Sequence, residues 1–322
     1  MLMVLETTRW LRLTRPGRLL SWLGPALRGL IARCFKARVC RHPAEAQETT
    51  WRYCKGCPFL AECPYGQTFE PDPPPAAAVF TGQTDPARPV VLAPPFPAPA
   101  RAAPGLTLPL RVTFIGTAAA RHVADFWDAV REAGADPAGG LDPDHTTFEV
   151  LAEGAAEVRR LVDLPLRPDA VAGIVPRLTV ELIGPLFLRT AAPGEPRRRV
   201  AAPSFADLFR AGLRTVGRLY ALYDQPLPAD FAALKAAAAE VPTLTADYRP
   251  FRQPKLSNRS GQRGLLRGVL GSGTYGSVPL ALTRWLLWAG RLHAGTHRVA
   301  GAGGWRLAWS DVHGSGTWQE MS

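Results

Sequence analysis

Apolar and polar residues alternate along residues 2–14, a period of two that predicts a first strand, and Pro16 and Gly17 end it. From Trp22 the period lengthens. Trp22, Leu23, Ala26, Leu27, Leu30, Ile31, Cys34 and Phe35 recur at helical spacing behind Ser21, a residue type that caps helices, so a helix is expected to run to about Val39. A Cys-rich loop follows to about Phe69. Residues 71–105 are so rich in Pro and Ala that they read as a long connection, with one short strand near Val90–Leu92. Leu106–Ile115 (LTLPLRVTFI) predicts a strand, Ala118–Ala133 a helix and Thr146–Leu151 a strand.

The second half repeats this order. Leu178–Arg189 reads as a strand interrupted at Gly184–Pro185, Ser204 caps a helix through Tyr223, and Pro226–Glu240 is a second, Ala-rich helical piece. Leu256–Thr274 is broken strand or hairpin rich in Arg and Gly, Val278–Leu292 is a helix, and Trp305–Trp309 closes as a strand after a glycine loop. The order β-α-β-β-α-β belongs to a ferredoxin-like unit, in which two helices cover one face of a four-stranded antiparallel sheet. The expected fold is therefore α+β, with two tandem ferredoxin-like (RRM-like) domains. The first spans 1–160, with a Cys-rich insertion at 40–70 and the Pro-rich connection at 71–105. The second spans 170–322, with a helical insertion over about 203–240 and a C-terminal glycine-rich loop at 293–304.

The 322 residues suit two domains. No apolar run reaches the roughly 18 residues of a membrane span, and the N-terminus lacks the pattern of a signal peptide. Four of the five cysteines (Cys40, Cys54, Cys57 and Cys63) fall within 24 residues, which argues against a secreted disulfide framework and for a reducing, cytoplasmic setting.

Charge is segregated along the chain. Thr7–Ala44 holds nine Arg or Lys and no acid, and Arg249–Ser310 holds ten and no acid. Glu45–Asp247 holds 19 cations and 24 acids, a balance of −5 inside a formal +11. Ends brought together would present one positive face to a polyanion, whose condensed counterions are released on binding.

Two sites carry candidate chemistry. In Leu292–Trp305 (LHAGTHRVAGAGGW), Gly295, Gly301, Gly303 and Gly304 lie between a helix and a terminal strand, flanked by Arg291, His293, His297 and Arg298. Glycines let a backbone approach a phosphate and offer N–H donors. A Walker loop is excluded, since Gly-Lys-Ser/Thr is missing and a helix, not a strand, precedes the loop. A Rossmann fingerprint fails on the same context. The second site, Cys40-x13-Cys54-x2-Cys57-x5-Cys63, could supply four thiolates to a structural Zn²⁺ or an iron–sulfur cluster, or could be four reduced core cysteines. Cys34 falls on the core face of the first helix.

The stretch LSNRSGQRGLLRGVLGSGTYG, an apolar helix and LHAGTHRVAGAGGW, in that order, resemble the C-terminal half of the CRISPR-associated repeat-processing endoribonucleases of the RAMP superfamily. SWLGPALRGLIARCFK looks like that family's first helix. CKGCPFLAECPYGQTFEP is similar to a Cys-containing segment of one of its branches, and LTVELIGPLFLRT with SFADLFRAGLRTVGRLY fits the start of its second domain.

The resemblance implies cleavage of precursor RNA at repeat stem-loops, without a metal, by attack of a ribose 2′-OH on the adjacent phosphate. It also implies retention of the guide RNA in an effector complex. Histidine suits the proton transfers and arginine the phosphorane. The family's first-helix histidine has no counterpart here; the nearest match falls around Ala32–Arg33.

The catalytic role is accordingly expected of Arg28, Arg33, His293, His297 and Arg298, an arginine-centred site that resembles the repeat-processing nucleases of type IV CRISPR systems. His293 could equally be a helix-end histidine, and Arg28 could simply hold the glycine loop. RNA contacts are expected of Arg38, Arg41, Lys255, Arg259, Arg263, Arg267 and Arg291, and of Gly295, Gly301 and Gly303. Arg197–Arg199 and the Arg214/Arg218 pair read by default as solvated. Tyr275, Trp285, Trp288 and Trp305 could stack on unpaired bases, although helical spacing places Trp285 and Trp288 in a core. Two other readings stand beside this one: a non-catalytic guide-RNA-binding subunit, for which the missing histidine speaks, and a zinc-stabilised DNA-binding protein.

Overall fold

A computed structural model describes residues 1–41, 54, 57–71, 87–137, 139–142, 144–161, 164–190, 198–256, 263–311 and 314–317. The chain divides into two units, Met1–Arg160 with Leu219–Gln225, and Leu161–Arg218 with Pro226–Ser322.

In unit one, β1 (Leu2–Leu13), β2 (Val90–Ala93), β3 (Thr107–Ile115) and β4 (Phe148–Leu161) form one sheet in the order β2-β3-β1-β4. β1 and β3 pair antiparallel from Val4↔Ile115 to Arg12↔Thr107. Side chains alternate between faces along a strand. On β1 this sends Thr7 and Arg9 toward helix α3 (Val123–Ala135), where the Trp127 indole donates to Thr7 Oγ1 at 3.1 Å and Arg9 lies 4.8 Å over the same ring. Helices α1 (Gly24–Val39), α2 (Pro64–Phe69) and α3 close over an aromatic core of Phe35, Tyr65, Phe69, Phe114 and Phe126. Phe35, Phe69, Phe114 and Phe126 are fully buried, each contributing roughly 1.5–3 kcal/mol.

Two expectations about helices change here. α1 starts at Gly24 with Leu23 at the N-cap and no side-chain cap, so Ser21 is not its cap. Pro25 opens the helix instead, because its fixed φ suits the first turn and it has no N–H to leave unpaired. The helix expected over Ala118–Ala133 is a turn at Thr117–Ala120 and then α3, whose N-cap is His122.

Unit two repeats the plan. β5 (Ile174–Leu182), β6 (Thr243–Leu256), β7 (Arg263–Pro279), β8 (Trp305–Asp311) and β9 (Gly314–Thr317) run in the order β6-β7-β5-β8-β9. Helices α4 (Phe205–Tyr223) and α6 (Leu280–Arg291) occupy the two helix positions of the motif, and α5 (Phe231–Ala239) is an addition. Both units are ferredoxin-like, the second extended by β9.

Ser204 caps α4 reciprocally: Asp207 N donates to its Oγ at 3.2 Å, and Ser204 N donates to Asp207 Oδ2 at 3.1 Å. α5 begins later than the sequence pattern suggests, where Asp230 accepts from Ala233 N at 2.9 Å. β5 stops at Leu182, before Gly184–Pro185, and beyond it Leu186 makes only an isolated bridge to Val269. The long β6–β7 hairpin begins at Thr243, well before the hairpin material expected from Leu256. Pro250 and Pro254 hide β6 in the sequence; they are tolerated because β6 is an edge strand.

Among the described residues no helix is long and apolar enough to cross a membrane.

Candidate functional site

In unit two, the chain leaving α6 turns through a run of left-handed residues: His293 (φ 58°), Gly295 (86°), His297 (61°), Gly301 (78°) and Gly303 (75°). Gly303 is obligatory, because a Cβ there would fall 1.7 Å from the Ala294 carbonyl oxygen. Ala294 N donates to Gly303 O at 2.8 Å, Gly303 N to Pro185 O at 2.9 Å and Gly301 N to Arg298 O at 2.9 Å. The N–H groups of Gly301 and Gly303 are thus engaged inside the protein.

The histidines and arginines of this turn separate by burial. His293 is 2% exposed and its Nδ1 lies 3.2 Å from Ala302 O. Arg298 is 7% exposed and donates from Nη1 to Leu292 O at 3.1 Å. Both hold the turn from within. His297 is exposed, its ring edge-on to Phe187 at 5.0 Å, and Phe187 meets Phe251 of β6 edge-on at 6.2 Å. Arg291 lies 5.4 Å over the half-buried Trp288 ring.

Three of the four aromatics considered for base stacking are core. Tyr275 donates to Pro203 O at 2.9 Å, Trp285 to Pro165 O at 2.7 Å and Trp305 to Leu286 O at 2.9 Å, all buried.

On the hairpin, Arg267 of β7 stands directly opposite Arg252 of β6, and both are exposed. Like charges paired across strands repel, an arrangement that an anion between them relieves. The backbones place Lys255 opposite Gly264 and Arg263 opposite Leu256, while Arg259 lies outside the described residues. The sequence pattern conceals Arg252 along with β6, and it absorbs Phe187 into a strand that stops five residues earlier, at Leu182.

In unit one, α1 carries Arg28, Arg33 and Arg38, with Arg41 just beyond it. Arg28 is half-buried near Tyr65. Arg33 pairs with Asp136. Arg38 reaches Asp128 and Glu132 at 2.7 Å each and Asp125 at 3.7 Å. Its hydrogen bond to Glu132 and the carboxylates around it raise its pKa. Arg41 lies 3.5 Å from Glu62. The acid-free stretch is therefore met by acids of α3 and its surroundings, and Arg33, Arg38 and Arg41 act first as clamps within the unit.

Cys40, Cys54, Cys57 and Cys63 all lie among the described residues. Among the described residues no three His, Cys, Asp or Glu side chains are grouped closely enough to hold a metal ion. All four thiols are free. Cys54 and Cys63 are buried, whereas Cys40 and Cys57 are half-buried. Burial, with Glu70 beside it, pushes the Cys54 thiol up to about 12, and its N–H donates to Glu70 Oε2 at 2.9 Å. A buried thiol held protonated packs as a small apolar side chain.

Residues 180–305 match the family model of the CRISPR-associated endoribonuclease Cas6. That stretch of the second unit is similar to the Cas6 family of repeat-processing endoribonucleases. Residues 2–161 match a further model described as an N-terminal domain, AF_1859_N. The fold is shared with the product complex of Thermus thermophilus Cas6, at a TM-score of 0.53 and 18% identity over 94% of this chain and 98% of that one. It is also shared with a partial Cas6-RT-Cas1–Cas2 complex, at 0.53 and 10% identity over 96% of this chain and 46% of that one. No curated protein matches the chain.

Proposed function

We propose that this chain is a Cas6-type endoribonuclease that cleaves CRISPR repeat RNA in its precursor without a metal cofactor. A ribose 2′-OH attacks the adjacent phosphorus, the 5′-oxygen leaves, and the products are a 2′,3′-cyclic phosphate and a 5′-OH. The reaction needs one proton removed from O2′, one delivered to O5′ and cationic support for the phosphorane. The observation that carries the reading is His297, an exposed imidazole fixed in the left-handed region by the glycine turn and braced against Phe187. In this role His297 moves a proton, while His293 and Arg298 hold the turn that presents it. Arg252 and Arg267 grip the backbone of the repeat stem, since A-form RNA is recognised through shape and phosphates.

The protein keeps its cleaved guide RNA and joins other Cas proteins. The Thermus thermophilus relative forms a product complex, and another relative belongs to a Cas6-RT-Cas1–Cas2 complex.

The test uses synthetic CRISPR repeat hairpins, incubated with the protein in EDTA. Cleavage leaving a cyclic phosphate is expected. A 2′-deoxy substitution at the scissile ribose should abolish cutting and leave binding intact. Equal cleavage of the deoxy RNA, or cleavage only on adding a divalent ion, would overturn the mechanism.

A further inference from the structure

The sheet of unit one has a second face, opposite the one that Thr7 and Arg9 turn toward α3. It carries Thr8, Trp10 and Arg12 of β1, and Thr107, Pro109 and Arg111 of β3. Trp10 stands directly across from Pro109, with the pair Thr8↔Arg111 on one side and Arg12↔Thr107 on the other. It is 44% exposed, whereas Trp22 and Trp127 are 1% exposed. The strand that bears it is central in the sheet, between β3 and β4.

A single exposed apolar side chain needs no explanation by itself. The setting of this one supplies the argument. Arg111 lies on the strand diagonal from Trp10, within about 7–8 Å by sheet geometry, and Arg12 lies two residues along its own strand. Glu149 pairs with Arg12, on the side of Trp10 away from Arg111. The indole thus has the Arg111 guanidinium on one side and the Arg12–Glu149 ion pair on the other, and the residue across from it is a proline.

One aromatic between an arginine and an ion pair is too small an apolar area for a protein partner, whose patches run to a few hundred Å². It has the composition of a stacking site for nucleic acid: a π-face that accepts any base, and a guanidinium group for the neighbouring phosphate. Four-stranded RRM sheets present aromatics in this way to two or three bases.

We propose that Trp10 is a stacking platform for an unpaired nucleotide and that Arg111 holds the phosphate on its open side. This face would then bind single-stranded RNA flanking the repeat stem. The proposal rests on the reading of the chain as an RNA-processing enzyme, and it adds a site in unit one that is separate from the glycine turn.

The experiment measures the Kd of the full chain for fluorescein-labelled octaadenylate and for an abasic ribose-phosphate octamer. Wild type should favour octaadenylate. Trp10→Ala should weaken octaadenylate binding by about tenfold or more, and Trp10→Phe, which keeps a stacking ring, by less than about threefold. Arg111→Ala should lower the salt slope of binding by about 0.7. Equal affinity of Trp10→Ala and wild type for octaadenylate, or equal affinity of wild type for the two octamers, would overturn the platform. Turnover of a flank-free repeat hairpin, read on the same preparations, should be unchanged in Trp10→Ala. If wild type fails to cut that hairpin, the nuclease mechanism fails while the oligonucleotide comparison still decides the platform.

Discussion

A Cβ placed on Gly304 would come within 2.6 Å of Cε1 of His293, so the buried imidazole occupies the space that any larger residue at 304 would need. Gly304→Ala is expected to cost about 1–3 kcal/mol, seen as a lower denaturant midpoint at unchanged slope. In a His293→Ala background the methyl group has room, so the same substitution should cost clearly less. A double-mutant cycle returning additive costs would contradict the contact.

The two histidines of the glycine turn should fail in different ways. His297→Ala is expected to slow single-turnover cleavage of the repeat hairpin by about 100- to 10,000-fold, with the melting temperature and hairpin affinity nearly unchanged. His293→Ala should lower the melting temperature first, because it empties a site only 2% exposed. Cleavage assays paired with thermal melts separate the two outcomes.

Arginines that look alike in sequence should differ in salt dependence. Arg267→Ala removes one of two opposed, exposed cations and should reduce the slope of log affinity against log salt by about 0.9 for each phosphate that the guanidinium neutralises. Arg38→Ala, whose guanidinium is held by Asp125, Asp128 and Glu132, should leave that slope unchanged and loosen α1 from α3 instead. Hydrogen exchange across α1 would report the loosening.

Cys54 sets an alkaline limit on unit one. Its thiol is raised from 9.0 to about 12 in the folded chain, so the unfolded chain releases its proton first as pH climbs. The stability this burial contributes is whole below pH 9 and is lost as pH rises toward about 12. Tyr220, also pushed up to about 12 by burial, adds a loss of the same sign. Cys54→Ala should therefore unfold less steeply between pH 9 and 12 than the wild type, followed by circular dichroism. In the native protein at pH 8, Cys54 should also react with iodoacetamide more slowly than after unfolding.

The double ferredoxin-like plan was legible in the sequence because period-two and period-3.6 segments recur twice in the same order. β6 was not legible, since Pro250 and Pro254 break the alternation that marks a strand, and only its edge position in the sheet excuses them. The site was half legible. Glycine spacing located the turn, but burial decides which of its histidines meets solvent, and burial depends on contacts such as Gly304 over His293 that spacing does not encode. The acid-free stretch of α1 pointed to an open cationic face. The acids that answer it come from α3 and its C-cap Asp136, 90 to 103 residues later, beyond any local pattern.

Helix α4 is divided: most of it belongs to unit two, while Leu219–Gln225 group with unit one. There Tyr223 closes on Gly116, whose added Cβ would fall 2.9 Å from Tyr223 Cβ, and donates its hydroxyl to Ala87 O at 2.6 Å. Asp224 takes the ammonium of Met1. Truncating the gene after residue 160 would consequently produce a fragment missing a plug from its own interior, and two-piece expression would have to return that heptapeptide in trans before the N-terminal half could be handled alone.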